Sequence, residues 1–305
     1  MMRSVSATRD IISTPADLIH VNYDGMIPLS VILNKLGDRR PRILHVRVMN
    51  PVNAITRAYV KLAAGTFKHV IFISENERDR FLDAGFNADA TPHTVLPNTV
   101  DPALFDMTVH REEQGAFRAV FFGTLDNLRA PDRLIEVAKI LKSRNIAVQI
   151  DIFGRSPPYR KWLIFERRND ETLTKQIEQA GVSDIIRLRG YTSNPEREMA
   201  ASDLVIRPSR SDDPWGRDVI ESMAIGVPIL ASGTYQGFIR HGETGILVDP
   251  WTAEVAADWI ARLANDRELG RRFGVAARQR ARVLFDPARY AARIEEIYDE
   301  VLRTA

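Results

Sequence analysis

Short apolar runs rich in β-branched residues alternate with longer segments of helical periodicity along most of the chain. The runs PRILHVRV and HVIFIS flank the helical segment AITRAYVKLAAG. Behind the run AVFFG, one helix face carries apolar residues at Leu134, Ile135, Ala138 and Leu141. A repeated strand, helix, strand order predicts parallel sheets covered by helices. The sequence therefore predicts an α/β fold.

The alternation lapses once, in the polar segment DMTVHREEQGAFR. A chain of 305 residues is long enough for two domains that each bury a core. We expect the following division: an N-terminal Rossmann-like domain over 1–106, a linker over 107–117, a second Rossmann-like domain over 118–285 and a C-terminal helix over 286–305. Ligands of such folds usually lie beyond the carboxyl ends of the strands.

Composition excludes several kinds of site. Lys and Arg total 42 against 40 for Asp and Glu, so the net charge of +2 gives no general case for a nucleic-acid partner. The absence of cysteine excludes thiolate nucleophiles and Cys-ligated zinc. The six histidines lack metal-ligand spacing, and no Walker loop or GxGxxG follows a strand. We therefore expect no cofactor and no metal.

The sequence has no apolar run of membrane-spanning length and no signal-peptide pattern, which favours a cytoplasmic location. A basic stretch in the first domain could instead bring the chain to an anionic membrane surface. Its residues are Arg39, Arg40, Arg42, Arg57 and Lys61. The alternative is that these charges form an ordinary solvated face.

The segment DDPWGRDVIESMAIGVP predicts a helix that starts after a charged loop and ends at Gly226. The amides at such a helix start favour a phosphate, and the Glu221 carboxylate could accept hydrogen bonds from two ribose hydroxyls. The simpler alternative is that Asp213 and Asp218 cap the helix while Glu221 lies on its solvated face.

The same segment, extended to DPWGRDVIESMAIGVPILAS, closely resembles a signature of the retaining glycosyltransferases of family four, which have the GT-B fold. That signature has two Glu residues separated by seven positions, and here the first is shortened to Asp213. Further stretches resemble family motifs in the same order: DLIHVN, HVIFISENERDRF, VLPNTVDPALF, HGETGILVDP and the closing helices. The resemblance covers nearly the whole chain and implies two Rossmann-like domains facing a cleft, with the last helix crossing back to the first domain.

The resemblance implies how the donor would be bound. Glu221 would bind the ribose of a nucleotide sugar, and Asp213 would bind hydroxyls of the transferred sugar. In FFGTLDNLRAP, Thr124 replaces a family arginine beside Gly123, so Arg129 would be the main side chain on the diphosphate. The alternative for Arg129 is a solvated loop charge.

The remaining donor contacts implied by the resemblance are Gly216, Arg217, Gly154, Tyr191, Gly233 and Thr234. Gly233 and Thr234 would offer backbone amides to the phosphate, although Gly237 replaces a family glutamate nearby. Gly154 and Tyr191 would border the nucleobase, and the alternative for both is an ordinary surface loop.

In the first domain, the resemblance aligns Arg47 with the end of a strand that carries a catalytic histidine in the family. His45 lies two positions earlier and would face the same side of the strand. Arg47 would stabilise the departing phosphate. His45 is either a second catalytic group or a structural residue.

The resemblance implies transfer of a sugar, with retention and without a metal, from a nucleotide-diphosphate sugar to a saccharide or lipid-linked acceptor in polysaccharide biosynthesis. Family members open with further strands, so we expect a reduced N-terminal domain. That reduction leaves open a second hypothesis, a non-catalytic donor-binding protein. A nicotinamide-dependent oxidoreductase is a remote third hypothesis, because the fingerprint glycines are missing.

Overall fold

The structure is a computed structural model that describes residues 8, 10–47, 52–110, 115–156, 169–211 and 216–304. It contains two compact units, Met1–Thr99 with Pro287–Ala305, and Val100–Asp286. The change of unit at Thr99 precedes the expected linker over 107–117. The reason is that the segment from Met107 to His110 is hydrogen-bonded within the second unit. The His110 N–H donates to the Ala200 carbonyl, and Arg278 donates to the Met107 carbonyl.

The strands, in chain order, are β1 (Ile19–Val21), β2 (Arg42–Val46), β3 (His69–Phe72), β4 (His93–Val95), β5 (Phe117–Phe122), β6 (Val148–Phe153), β7 (Ile186–Gly190), β8 (Leu204–Arg207), β9 (Ile229–Ser232) and β10 (Ile246–Val248). The α-helices are α1 (Ile27–Lys35), α2 (Ala54–Ala63), α3 (Glu75–Asp83), α4 (Arg133–Ser143), α5 (Asn169–Gln179), α6 (Pro195–Ala200), α7 (Arg217–Ile225), α8 (Ala253–Asn265), α9 (Arg267–Leu284) and α10 (Pro287–Arg303). Short 3-10 turns lie at Asp24–Met26 and Pro102–Asp106.

The first unit is a parallel sheet in the order β1-β2-β3-β4. One face of this sheet packs against α1, α2 and α3, and buries Phe72 and Phe81 in a shared core. The other face packs against α10, which buries Ile297 and Val301 against Ile43. Strand alternation explains the two cores, since successive side chains of a strand point to opposite faces.

Local capping residues set several helix starts in both units. Asn53 accepts from the first amides of α2, and Ser74 accepts from Asn76 at the start of α3. Thr252 and Asp266 cap α8 and α9 in the same way. These side chains satisfy amides that have no partner within the helix.

The second unit is a parallel sheet in the order β10-β9-β8-β5-β6-β7. The expected apolar stripe of α4 is buried and packs with α8 on the sheet. The chain builds outward from β5 through β6 and β7, then returns to build β8, β9 and β10 on the other side. The carboxyl ends of β5 and β8 therefore flank a topological switch point, where open α/β sheets bind ligands. The predicted parallel α/β architecture is confirmed.

Among the described residues, no helix combines the length and the hydrophobicity that crossing a bilayer requires.

Candidate functional site

Two loops meet at the switch point of the second unit, one after β5 and one after β8. The backbone N–H of Arg210 donates to the Leu128 carbonyl at 2.8 Å, and its guanidinium donates to Asn127 and to the Asp132 carboxylate. In the opposite direction, Arg133 donates to the carbonyls of 208 and 209 at 3.1 and 2.9 Å. These bonds hold the two loops against each other, so the site has a fixed backbone.

The β5 loop presents Arg129 on a tight turn. Asp126 organises this turn, because its carboxylate accepts from the Arg129 N–H at 2.8 Å and from the Thr124 hydroxyl, and its carbonyl accepts from Ala130. Ala130 has a left-handed backbone with φ of +54°, a conformation that costs a non-glycine residue about 1 kcal/mol or more. The site therefore maintains a strained turn directly after the arginine.

The Arg129 guanidinium has an unused donor. Its Nη1 is buried and has no hydrogen-bond partner within the described part of the chain. A buried charged donor without a protein partner is unfavourable, so we expect this nitrogen to bind a ligand or water. The alternative of a solvated loop charge does not fit a buried nitrogen.

Three glycines lie at one edge of the sheet. Gly123 follows β5, Gly154 follows β6, and Gly190 is the last residue of β7. The Gly123 N–H donates to Phe153, and the Gly154 N–H donates to Gly190 at 2.8 Å. A Cβ atom at Gly154 would lie only 1.9 Å from the Gly123 carbonyl oxygen. Only glycine fits at 154, which leaves bare backbone where a ligand would approach.

Tyr191 follows β7 and is exposed. The Arg155 guanidinium lies 4.1 Å from the centre of its ring, which is cation-π distance. Residues 157–168, which follow Arg155 in the chain, lie outside the described residues. The structure thus brings Gly154 and Tyr191 to one edge of the sheet and presents an aromatic face there.

Glu221 lies on α7, and its side chain is only 13% exposed. Burial raises the pKa of the Glu221 carboxyl, and the ion pair with Arg217 opposes that rise. The carboxylate therefore does not lie on a solvated face, as the simpler alternative supposed. Asp213 lies outside the described residues, so only one acid of the signature has a described position.

The start of α7 carries no capping side chain. Gly216 is the N-cap residue, and Asp218 does not cap the helix because it pairs with Arg207 instead. A Cβ atom at Gly216 would lie 2.5 Å from the Asp218 Oδ1 and 2.9 Å from the Arg207 Nη1, so this ion pair occupies the space of a side chain. Sequence reasoning missed Arg207. An arginine ending the apolar run DLVIR was the available signal, since a buried charge requires a partner.

The predicted phosphate contacts after β9 need correction at Gly233. Its N–H donates to the Val248 carbonyl at 3.2 Å, because the pairing of β9 with β10 continues one residue further. This amide is therefore used within the protein. Thr234 is exposed and follows it. At Gly237, an added Cβ atom would lie only 2.0 Å from the Tyr235 hydroxyl oxygen, so a side chain there would require Tyr235 to move.

In the first unit, Arg47 follows β2 and is held by two asparagines. Asn22 accepts from Nε and Nη2 at 2.9 and 2.7 Å, and Asn98 accepts from Nη1. Asn22 follows β1 and Asn98 follows β4, so the carboxyl ends of the sheet create this arrangement. Both asparagines are neutral amides, Nη2 also donates to the Tyr290 hydroxyl at 3.5 Å, and the described residues offer Arg47 no ion pair. Its positive charge is oriented without being neutralised.

His45, for which a catalytic and a structural role were both open, has a fully buried side chain. Its ring stacks on His20 at 5.5 Å, and neither ring nitrogen has a hydrogen-bond partner in the part of the chain that the structure describes. Burial, assisted by Arg47 and His20, lowers the pKa of His45 to about 3. The ring is neutral and structural at pH 7.

The described residues contain no group of three or more His, Asp or Glu that could hold a metal ion. Metal independence stays a prediction.

Comparison with known proteins identifies the family. The model of the family described as Glycosyl transferases group 1 matches residues 105–280, which is more than half of the chain. The chain is 28% identical over 194 residues to a D-inositol 3-phosphate glycosyltransferase of Arthrobacter sp. (strain FB24), covering 59% of this chain and 44% of that protein. It is also 28% identical over 151 residues to a poly(ribitol-phosphate) alpha-N-acetylglucosaminyltransferase of Staphylococcus aureus (strain COL), covering 48% and 28%. The chain thus spans less than half the length of these relatives.

Solved structures support the fold. Anabaena HepE, solved in complex with UDP-glucose, superposes with a TM-score of 0.82 at 21% identity, covering 97% of this chain and 82% of that one. The structure of TarM superposes with a TM-score of 0.74 at 20% identity, covering 98% and 57%. The predicted GT-B fold class, with two Rossmann-like parallel-sheet domains, is confirmed. From the family match and the shared fold, this chain belongs to the glycosyl transferases group 1 family.

Proposed function

We propose that the chain binds a nucleotide-diphosphate sugar at the carboxyl ends of β5 and β8, and transfers its sugar with retention to a saccharide or lipid-linked acceptor. The observation that carries this proposal is the buried, unpartnered Nη1 of Arg129 at the switch point. A diphosphate supplies the anion that this nitrogen lacks, and it suits a site lined by bare glycine backbone.

Each donor group has a proposed partner. Arg129 binds the diphosphate, together with amides at the start of α7 and at Thr234. Glu221 binds the ribose hydroxyls, since a carboxylate has two acceptor oxygens in one plane. The base lies against Gly154 and Tyr191, and Asp213 binds the transferred sugar. Asp213 is one methylene shorter than glutamate, so the sugar preference of this chain differs from that of relatives with glutamate.

The chemistry follows from charge development on the leaving group. As the bond between the anomeric carbon and the phosphate oxygen breaks, negative charge grows on the terminal phosphate. Arg129 and the helix amides stabilise that charge, and Arg47 is proposed to assist because its guanidinium is held without a neutralising partner. The acceptor hydroxyl attacks from the face that the phosphate leaves, and the phosphate oxygen takes its proton. No cofactor or metal is assigned to any step.

Donor and acceptor identities are proposals as well, because the relatives extend well beyond the matched region. The solved complex of Anabaena HepE with UDP-glucose makes UDP-glucose the first donor to test. Polysaccharide biosynthesis on the cytoplasmic side of a membrane is the proposed setting.

The decisive experiment is calorimetry with UDP-glucose, GDP-mannose, ADP-glucose and dTDP-glucose. We expect one of these donors to bind, and Arg129→Met to weaken it about 10- to 100-fold, since a hydrogen bond to a charged group contributes about 1.5–3 kcal/mol. Arg187→Met removes an exposed cation of β7 and serves as the matched control. Equal donor affinity of the Arg129 and Arg187 variants would contradict the assignment of Arg129 to the donor site.

A non-catalytic donor-binding protein would pass that binding test. Transfer distinguishes the two functions. Mass spectrometry of a glycan or lipid-linked acceptor pool after incubation with the bound donor should show an added hexose. Donor binding with no product across acceptor pools, including an extract of cells, would favour the binding protein.

A further inference from the structure

The first unit carries an unusual surface on its outer helices. Among the described residues, most of the large hydrophobic side chains with substantial exposure belong to this smaller unit. Ile32 on α1 is 49% exposed, while Ile55 and Leu62 on α2 are 67% and 44% exposed. α1 and α2 lie side by side on one face of the sheet, so these side chains share one outer surface. Exposed apolar clusters of this kind mark interaction sites.

The charge carried by α1 and α2 has one sign. No Asp or Glu occurs from Arg39 through Ser74, and neither α1 nor α2 contains an acid. The outer surface of these helices carries Lys35, Arg57 and Lys61, all exposed. Two residues of the basic stretch described from the sequence do not contribute a free charge to this surface. Arg40 and Arg42 pair with Asp38 and are used within the fold.

Helix geometry places the cations and the apolar residues at opposite edges of the solvent side of α2. Successive residues of a helix are rotated by about 100°, so Ile55 and Leu62 share one edge of that side while Arg57 and Lys61 share the other, about 130° away. The buried side is formed by other positions, such as Val60. α2 is therefore an amphipathic helix whose solvent side is itself divided into an apolar strip and a basic strip.

The basic strip borders a cavity of about 890 Å³ at the end of α2. Arg57, Lys61 and Lys68 line this cavity together with Phe67 and Phe86. None of the three cations forms an ion pair within the described residues. Three helix ends lie at the cavity, those of α2, α3 and α10, and each contributes only about −0.5 of a charge, so the three cations leave the lining positive.

We propose that this surface, defined by Ile32, Ile55, Leu62, Arg57, Lys61 and Lys68, binds an anionic phospholipid surface. The cations would contact lipid phosphates, one of them within the cavity, while the apolar strip enters the boundary between headgroups and acyl chains. Charge complementarity favours lipid as the occupant: an anionic membrane presents phosphates to the basic strip and acyl chains to the apolar strip of the acid-free helices α1 and α2. The site is independent of the proposed donor site, which lies in the other unit.

Vesicle flotation tests the proposal with the 305-residue chain. The chain should float with vesicles of phosphatidylglycerol and phosphatidylcholine, should not float with phosphatidylcholine alone, and should be released by high salt. Each cation near an anionic surface contributes about 1 kcal/mol, or about fivefold. Replacing Arg57, Lys61 and Lys68 with glutamine should therefore lower partitioning on the order of 100-fold.

Two further variants sharpen this test. Ile55→Ser with Leu62→Ser should weaken binding while its salt dependence remains. The matched control replaces Lys175, Arg187 and Arg272 with glutamine, since these are exposed cations of the second unit. That control should partition like the natural chain, and circular dichroism melting should confirm that every variant is folded.

Several results would overturn the proposal. One is equal partitioning of the natural chain into neutral and anionic vesicles. Another is an equal loss of vesicle partitioning in the control variant and in the Arg57, Lys61 and Lys68 variant. Stabilisation of the natural chain by inorganic phosphate without vesicle binding would identify a site for free anions. Self-association that disappears in the Ile55 and Leu62 variant, again without vesicle binding, would identify an interface between copies of the chain.

Discussion

The Arg207 guanidinium and the Asp218 carboxylate form a buried ion pair at the start of α7, with Nη1 at 2.8 Å from both carboxylate oxygens. The pair joins the end of β8 to the helix that carries Glu221. It also explains Gly216, since the two charged groups fill the space that a side chain there would need. The position of the proposed ribose ligand therefore depends on a contact between two charges.

Breaking this pair should be costly. Arg207→Met leaves a buried carboxylate unpaired, and we expect a loss of about 3–5 kcal/mol in the free energy of unfolding, measured in urea. Replacing both residues, as Arg207→Met with Asp218→Asn, should cost less than the sum of the single changes. Strictly additive losses would show that the two charges do not stabilise each other.

Two glycines of α9 should respond oppositely to alanine. A Cβ atom at Gly274 would lie 2.0 Å from the Gly226 carbonyl oxygen, so Gly274→Ala forces α9 away from the end of α7 and should cost about 1–3 kcal/mol or more. At Gly270 the nearest atoms lie at 3.8 Å, so Gly270→Ala should be neutral or stabilise by up to about 1 kcal/mol. Thermal unfolding of both variants measures the difference. A destabilised Gly270 variant would contradict the packing described for α9.

Nucleotide affinity should depend on pH through Glu221. Burial raises the pKa of its carboxyl, so the group takes up its proton at a higher pH than an exposed glutamate does. Only the ionised carboxylate accepts from both ribose hydroxyls. Affinity for the donor should therefore be full at pH 7.5 and fall as the pH is lowered through the raised pKa.

Glu221→Gln is the control for this pH dependence. The glutamine variant should bind the donor more weakly at pH 7.5, and its affinity should change little on acidification. Calorimetry at several pH values measures both profiles. Parallel profiles for the natural chain and the variant would assign the pH dependence to another group.

Acid should destabilise the first unit through its buried histidines. Burial lowers the pKa of His45 to about 3 and that of His69 to about 4, whereas both rise to about 6.5 in the unfolded chain. Below pH 6.5 the unfolded chain thus binds more protons than the folded chain. The free energy of unfolding therefore decreases as the pH falls, until both histidines are also protonated in the folded chain at about pH 3. We expect the melting temperature to drop between pH 7 and pH 5.

The charged neighbours do not reverse this direction. Glu300 raises the pKa of His69, but burial is the larger effect, and Arg293 lowers it. His69→Gln should reduce the drop in melting temperature, and His110→Gln, which changes an exposed histidine, should not. If both variants melt in parallel with the natural chain at every pH, the buried histidine is not the cause.

Much of the fold follows from local patterns. Leu134, Ile135, Ala138 and Leu141 have the spacing of one helix face, and all are buried in α4. Gly226 has a left-handed backbone at the end of α7, as its place after a helical pattern predicts. These features depend on residues a few positions apart, which is why the sequence is sufficient for them.

The candidate site was only partly predictable. The β5 loop was found through a motif, but the buried state of the Arg129 Nη1 depends on loops that lie far apart in the chain. His45 was placed correctly on a strand, but its burial could not be predicted, because strand alternation does not say which face another helix covers. Here α10 packs on the sheet, and Tyr298 bonds to the neighbouring His20.

The sequence by itself determined the α/β class, the family and the positions of Glu221 and Arg129 along the chain, because periodicity and motif spacing are local properties. Only the tertiary structure decided which of these charges are free. It paired Asp218 with Arg207, used the Gly233 amide in the sheet, buried His45 and left the Arg129 Nη1 without a partner among the residues that the structure describes. The physical reason is that burial and ion pairing are set by segments brought together from distant parts of the chain.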